Sequence, residues 1–192
     1  VGSAKGAKMD GKWYSGQYVD ILKNNVYVLD GFINDIQSDH LCQIITQLSN
    51  SSEPSTGWTS DTGAVVSSKL ENVAIWDDVQ DRITKIMSAI FGKRLVIHCS
   101  PYSRIYETGS AKSLHADGEG STEFGLPIVM DGYSKDYDKC SMLVEYASNL
   151  YLNDSFSGGE LHFPLLDLVI KPKKNQLIVF PSGIEFSHEV KT

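Results

Sequence analysis

Gln176-Leu177-Ile178-Val179-Phe180-Pro181-Ser182-Gly183-Ile184-Glu185-Phe186-Ser187-His188-Glu189-Val190 is the stretch whose reading decides the fold. Its opening run is apolar and strand-sized, far short of the roughly 20 residues that span a bilayer. A Pro-Ser-Gly turn follows. Beyond it, Phe186, His188 and Val190 share a parity, so an extended chain turns His188 toward the apolar interior while Ser187 and Glu189 face out. An inward imidazole is usually a satisfied core residue, unless other ligands meet it.

Upstream, short β-branched and aromatic runs at residues 95–97, 103–106, 142–146, 149–152, 161–163 and 168–170 are separated by Gly, Pro, Asn and Lys turns, and read as strands. Residues 26–29 form an earlier strand closed by Asp30-Gly31. Between these regions lie two helical patterns. From a cap candidate at Asn34, the residues Ile36, Leu41, Ile44, Ile45 and Leu48 approximate one face as far as Ser49. From about Asp77, Val79, Ile83, Ile86, Met87 and Ile90 form a second face that ends at Gly92. Two helices followed by many short strands predict an α+β domain: a double-sheet jelly roll with the N-terminal helices packed on one sheet.

The chain has 192 residues, 41% of them apolar, and can bury roughly 70% of its unfolded surface without help from disulfides or structural metal. Any metal ligands therefore point to function. A net charge of −7 with no dense Lys/Arg cluster disfavours nucleic acid as a partner. Cys42, Cys99 and Cys140 are too few and too scattered for a disulfide framework or a CxxC site, which suits a reducing compartment, the cytoplasm. No membrane segment is predicted. Residues 1–24 read as a flexible arm, with a small basic leader that lacks the apolar region of a secretory signal, and its missing initiator Met suggests processing or truncation. The domain proper is placed at residues 25–192.

His115-Ala116-Asp117 is the second chemical feature, since positions i and i+2 of a strand project to the same face. Alone it is weak: chance supplies about 0.4 such pairs in a chain of this composition. Together with an inward His188 it completes two imidazoles and one carboxylate, the facial triad of non-haem Fe(II) oxygenases.

The surrounding residues then carry a resemblance covering most of the chain from about Val26. Tyr106-Glu107-Thr108-Gly109 ahead of His115-Ala116-Asp117, the strand Tyr151-Leu152-Asn153, the turn and strand Ser157-Gly158-Gly159-Glu160-Leu161-His162-Phe163-Pro164, and the run ending in His188-Glu189-Val190 stand in the order and approximate spacing of the prolyl 4-hydroxylase-like group. The sequence resembles a 2-oxoglutarate- and Fe(II)-dependent dioxygenase of that group, whose members share a double-stranded β-helix core. The resemblance implies that His115, Asp117 and His188 hold Fe(II) and carry the catalysis. It also implies that Tyr106 and Tyr151 contact 2-oxoglutarate, with Leu161 as an apolar wall. The same resemblance implies O2 as the other cosubstrate, succinate and CO2 as products, and ascorbate in support of turnover. A prolyl residue of a peptide or protein is the implied substrate; alternatives are another amino-acid side chain, a small metabolite, or a metal-binding jelly-roll module without turnover. Relatives bind the distal carboxylate of 2-oxoglutarate with a base nine or ten positions after the distal His, whereas this sequence stops four residues past His188. That predicts a trimmed C-terminal end, or a substitute among Arg104, Lys171, Lys173 and Lys174.

Two loops complete the reading. Residues 51–63, with Trp58, and 118–139, with Tyr133 and Tyr137, are rich in Gly, Ser and charge, and are predicted to cover the site and offer aromatic surface to a peptide. His162 is expected to face outward, His98 to be structural and His40 to lack a ligand partner, while Glu119 and Glu123 read as solvated loop charges.

Overall fold

The computed structural model describes residues 10–14, 16–22, 25–51, 65–70, 73–97, 102–117 and 145–192. Chain order is β1 (Asp10–Tyr14), β2 (Gln17–Ile21), β3 (Tyr27–Leu29), α1 (Asp35–Ser51), β4 (Val65–Lys69), α2 (Ala74–Phe91), β5 (Tyr102–Tyr106), β6 (Lys112–His115), β7 (Tyr146–Tyr151), β8 (Leu161–Phe163), β9 (Leu168–Ile170), β10 (Gln176–Pro181) and β11 (His188–Val190). All strand pairs are antiparallel. They form a five-stranded sheet in the order β1-β2-β3-β10-β7, a four-stranded sheet β6-β11-β8-β9, and the pair β4-β5.

β10 explains the layering. It pairs with β3 on one side and β7 on the other, and its residues 176–180 are all buried. Leu177 and Val179 face the helices, joining Tyr27 and Leu29 of β3 and the buried stripe Val79, Ile83, Ile86, Met87 and Ile90 of α2. Ile178 and Phe180 face the other way, joining Val26, Val28, Leu161, Phe163 and Ile170. A strand covered on both faces needs apolar residues on both, which is why residues 177–180 lack polar alternation, while the buried Gln176 amide donates to Asp30 Oδ1 at 2.6 Å.

Helix ends follow local chemistry. The Asn34 Oδ1 accepts the Gln37 N–H at 2.9 Å while the Gln37 Oε1 accepts the Asn34 N–H at 3.2 Å, a reciprocal capping box at the start of α1. α2 ends at Gly92, whose φ of +63° is the left-handed conformation that glycine adopts without a Cβ penalty. The helix begins at Ala74 rather than Asp77, because the Trp76 and Asp77 N–H groups already donate to the Val73 carbonyl and Ile75 and Trp76 add apolar contact to the core.

Other expectations are corrected. Residues 10–14 and 17–21, predicted within a flexible arm, pair as the antiparallel strands β1 and β2, and β2 pairs with β3 through Asp20↔Val28 and Ile21↔Tyr27; Val19 is fully buried and anchors them. β4 was not anticipated. Residues 95–97 form no strand: Leu95 packs on the helical core while Val96 and Ile97 are exposed. Ile36, expected on the apolar face of α1, is exposed in its first turn. Phe186 lies in the 3-10 turn Ile184–Phe186 rather than in the final strand, and Ser187 is buried rather than outward. Residues 142–144 and the loop tyrosines and tryptophan lie outside the described residues. Among the described residues, no helix is long and apolar enough to cross a membrane.

Candidate metal centre

His115 closes β6, and His188 opens β11 directly opposite it. Asp117 follows in the turn after β6, so the carboxylate arrives from beyond the strand rather than from the same strand face as predicted. The rings of His115 and His188 are 4.4 Å apart and tilted by 54°. His115 Nε2 stands 3.6 Å from Asp117 Oδ1 and His188 Nε2 stands 3.7 Å from Asp117 Oδ2. All three residues offer donor atoms within 4.8 Å of one another.

The second ring nitrogens are already committed. His115 Nδ1 lies 2.8 Å from the Ser113 carbonyl and His188 Nδ1 lies 3.1 Å from the Phe186 carbonyl. A carbonyl can only accept, so each Nδ1 carries the proton and each Nε2 presents a lone pair. Two Nε2 lone pairs and two carboxylate oxygens thus face one another across gaps longer than a hydrogen bond. A cation with nitrogen and oxygen ligands at about 2.1 Å holds neighbouring donors roughly 3 to 3.5 Å apart, close to these separations. Backbone carbonyls that fix the ring tautomer are the usual outer support of a metal-bound histidine. The residues present therefore fit a divalent metal.

Packing fixes the deeper imidazole. His188 is 3% exposed, with Phe180 edge-on at 4.9 Å and Phe163 at 5.4 Å, and those two rings meet in a T at 5.1 Å. Burial, reinforced by the neighbouring His188 ring, lowers the pKa of His115 even though Asp117 pulls it upward. The imidazole stays neutral, as a metal ligand must be. Phe163 and Phe180 were not singled out from sequence as site residues; Phe163 shares the inward parity of Leu161, whereas β10, buried on both faces, gives no such signal for Phe180.

Tyr151 ends β7 and packs against the inter-sheet core. Burial raises its phenol pKa strongly and the nearby Tyr106 phenol adds to the rise, so the hydroxyl stays protonated, a hydrogen-bond donor at any physiological pH. Leu161 is fully buried in the same core. His162 faces away, its Nδ1 2.7 Å from Glu189 Oε1. His40 is exposed on α1. Lys173 pairs with Asp30, and Lys174 pairs with Asp35 and Asp39, at and just before the start of α1. Trp58, Tyr133, Tyr137, His98, Glu119 and Glu123 lie outside the described residues.

Solved structures share this architecture. A prolyl hydroxylase from Trichoplax adhaerens, in complex with a hypoxia inducible factor oxygen degradation domain peptide fragment, superposes with a TM-score of 0.60 at 18% identity, over 88% of this chain and 77% of that one. A viral collagen prolyl hydroxylase from Paramecium Bursaria Chlorella virus-1 gives 0.57 at 19% identity over 86% of each chain. A Pseudomonas putida prolyl-4-hydroxylase gives 0.58 at 17%, over 86% of this chain and 84% of that one. The fold is that of the prolyl hydroxylases. In sequence, prolyl 3-hydroxylase 2 of Rattus norvegicus and of Mus musculus each match at 27% identity over 135 residues, 64% of this chain. The chain spans about a fifth of the length of those curated relatives, 19%. No protein-family model matches the sequence.

Proposed function

We propose that the chain is an Fe(II)- and 2-oxoglutarate-dependent oxygenase that hydroxylates a prolyl residue of a peptide or protein. The observation that carries this reading is the convergence of two lone-pair-bearing imidazole nitrogens and one carboxylate, each imidazole held by a carbonyl behind it. The likeness to prolyl hydroxylases, one of them solved with a peptide, supports the choice of substrate. The two antiparallel sheets facing each other over Leu161, Phe163, Ile178 and Phe180 are read as the two sides of a double-stranded β-helix.

In this reading His115, Asp117 and His188 would hold Fe(II), which with 2-oxoglutarate and O2 would supply the hydroxylation of an unactivated C–H bond with release of succinate and CO2, ascorbate supporting turnover. The protein's part is orientation and exclusion of water. Phe163 and Phe180 shield His188 and hold its plane. Tyr151, kept neutral, donates its O–H to a cosubstrate carboxylate, with Tyr106 beside it and Leu161 as apolar wall. Trp58, Tyr133 and Tyr137 are proposed to meet the peptide. Incubation with Fe(II), 2-oxoglutarate, ascorbate and a proline-rich peptide array tests the proposal: succinate release with one added oxygen on proline is expected. Hydroxylation of a different side chain would move the substrate, and absence of succinate with metal bound would leave a binding module.

A further inference from the structure

β6 and β11 are out of step. His188 stands opposite His115 and Val190 opposite Lys112, so two steps along β11 match three along β6. One extra residue therefore sits in β6, at Ser113–Leu114, as a β-bulge. In an unbroken ladder begun from the Lys112↔Val190 pair, alternation would set Leu114 opposite His188 and turn His115 to the outer face. The side chains show the reverse. Leu114 is 53% exposed, while His115 lies beside His188 with its side chain 20% exposed. Placing leucine outside and imidazole inside runs against burial preference, so something other than core packing sets this register. The second effect is on the backbone. The carbonyl that receives His115 Nδ1–H is that of Ser113, a bulge residue. His188 has a parallel arrangement, because its Nδ1 partner, the Phe186 carbonyl, lies in the 3-10 turn just before β11.

We propose that the bulge at Ser113–Leu114 is a positioning device that selects His115, rather than Leu114, to face His188, and aims its Nε2 at Asp117. This inference rests on the metal-centre reading above. Deleting Leu114 restores an even count between the Lys112 and His115 pairings, keeps His115 opposite His188, and moves the Ser113 carbonyl to the residue immediately before the histidine. Lost outer-shell support typically costs 10- to 100-fold in metal affinity. The full chain, stripped of metal, is titrated with Co(II), and the His115 tautomer is read by long-range nitrogen NMR before metal is added.

The parent is expected to bind Co(II) and to show His115 protonated on Nδ1. The Leu114 deletion should bind at least about tenfold more weakly and lose that tautomer preference. Leu114→Lys should bind within about twofold of the parent with little change in Tm, because the outward position is wet. If the deletion does not fold, Leu114→Lys decides: loss of Co(II) binding in that variant places Leu114 inward and overturns the bulge. A folded deletion that binds like the parent and keeps the tautomer also overturns it. A parent that binds no Co(II) instead overturns the metal-centre reading on which the inference stands.

Discussion

The two faces of β11 treat imidazole and carboxylate differently. On the outer face, His162 Nδ1 and Glu189 Oε1 close to 2.7 Å, a cross-strand pair that satisfies itself. On the inner face, Asp117 stops 3.6 and 3.7 Å short of His115 and His188, although all three could approach as a closed cluster. The cause lies behind the rings: both inner histidines donate Nδ1–H to a backbone carbonyl, leaving lone pairs where a closed ion pair would need protons. A gap framed by acceptors attracts a cation. The outer pair, with its one hydrogen bond already made, has no such requirement.

The comparison breaks most readily at Asp117. Asp117→Ala should abolish turnover and weaken Co(II) binding about a hundredfold or more, while Tm changes little because the half-buried carboxylate is no part of either apolar core. Retained binding would return the inner cluster to ordinary polar packing. Next in size is Phe180→Ala, which removes a fully buried ring from between the sheets and should cost about 3–5 kcal/mol in urea unfolding. The gentler Phe180→Leu keeps the fold, and if the ring steadies His188 it lowers metal affinity as well as stability; an unchanged affinity would limit Phe180 to the core.

On the outer face, His162→Ala should cost no more than about 1 kcal/mol, since the pair is partly solvated and screened, and should leave Co(II) affinity unaltered. A large loss of metal binding there would show that the two faces are coupled through β11. The smallest effect is expected away from both faces, at Asp30. Its burial raises the carboxyl pKa, but the Gln176 hydrogen bond and the Lys173 ammonium outweigh this and lower it on balance. A lowered carboxyl pKa stabilises the fold above the unfolded value and ceases to do so as pH falls through the folded value. Asp30→Asn should therefore be less stable than the parent by about 0.5 kcal/mol near neutral pH, and the difference should shrink on acidification below about pH 4. Urea unfolding at both pH values measures it.

Much of this was legible in sequence where one physical requirement acted alone. The α2 stripe from Val79 to Ile90 and the cap at Asn34 are local patterns, and both formed as read; the return bond from Gln37 that makes the cap reciprocal was not part of that reading. His188 was legible as inward because Phe186 and Val190 flank it, although Phe186 reaches the core from a 3-10 turn. The N-terminal strand pair was hidden because a Gly- and Lys-rich stretch looks unable to bury surface, yet Val19 fills a place in the sheet beside β3. Asp117 was expected by strand parity to share a face with His115 and instead comes from the following turn. The bulge could not be read at all: His115 was expected to face His188, but only the pairing with β11 shows the extra residue between it and Lys112.

Anomalous diffraction from crystals grown anaerobically with Mn(II) and 2-oxoglutarate tests the central claim most directly. One metal peak is expected among His115 Nε2, His188 Nε2 and an Asp117 carboxylate oxygen, with ligand distances of about 2.0–2.3 Å and the cosubstrate completing the shell. Metal bound elsewhere, or Asp117 closed onto the two imidazoles with no peak between them, would contradict it.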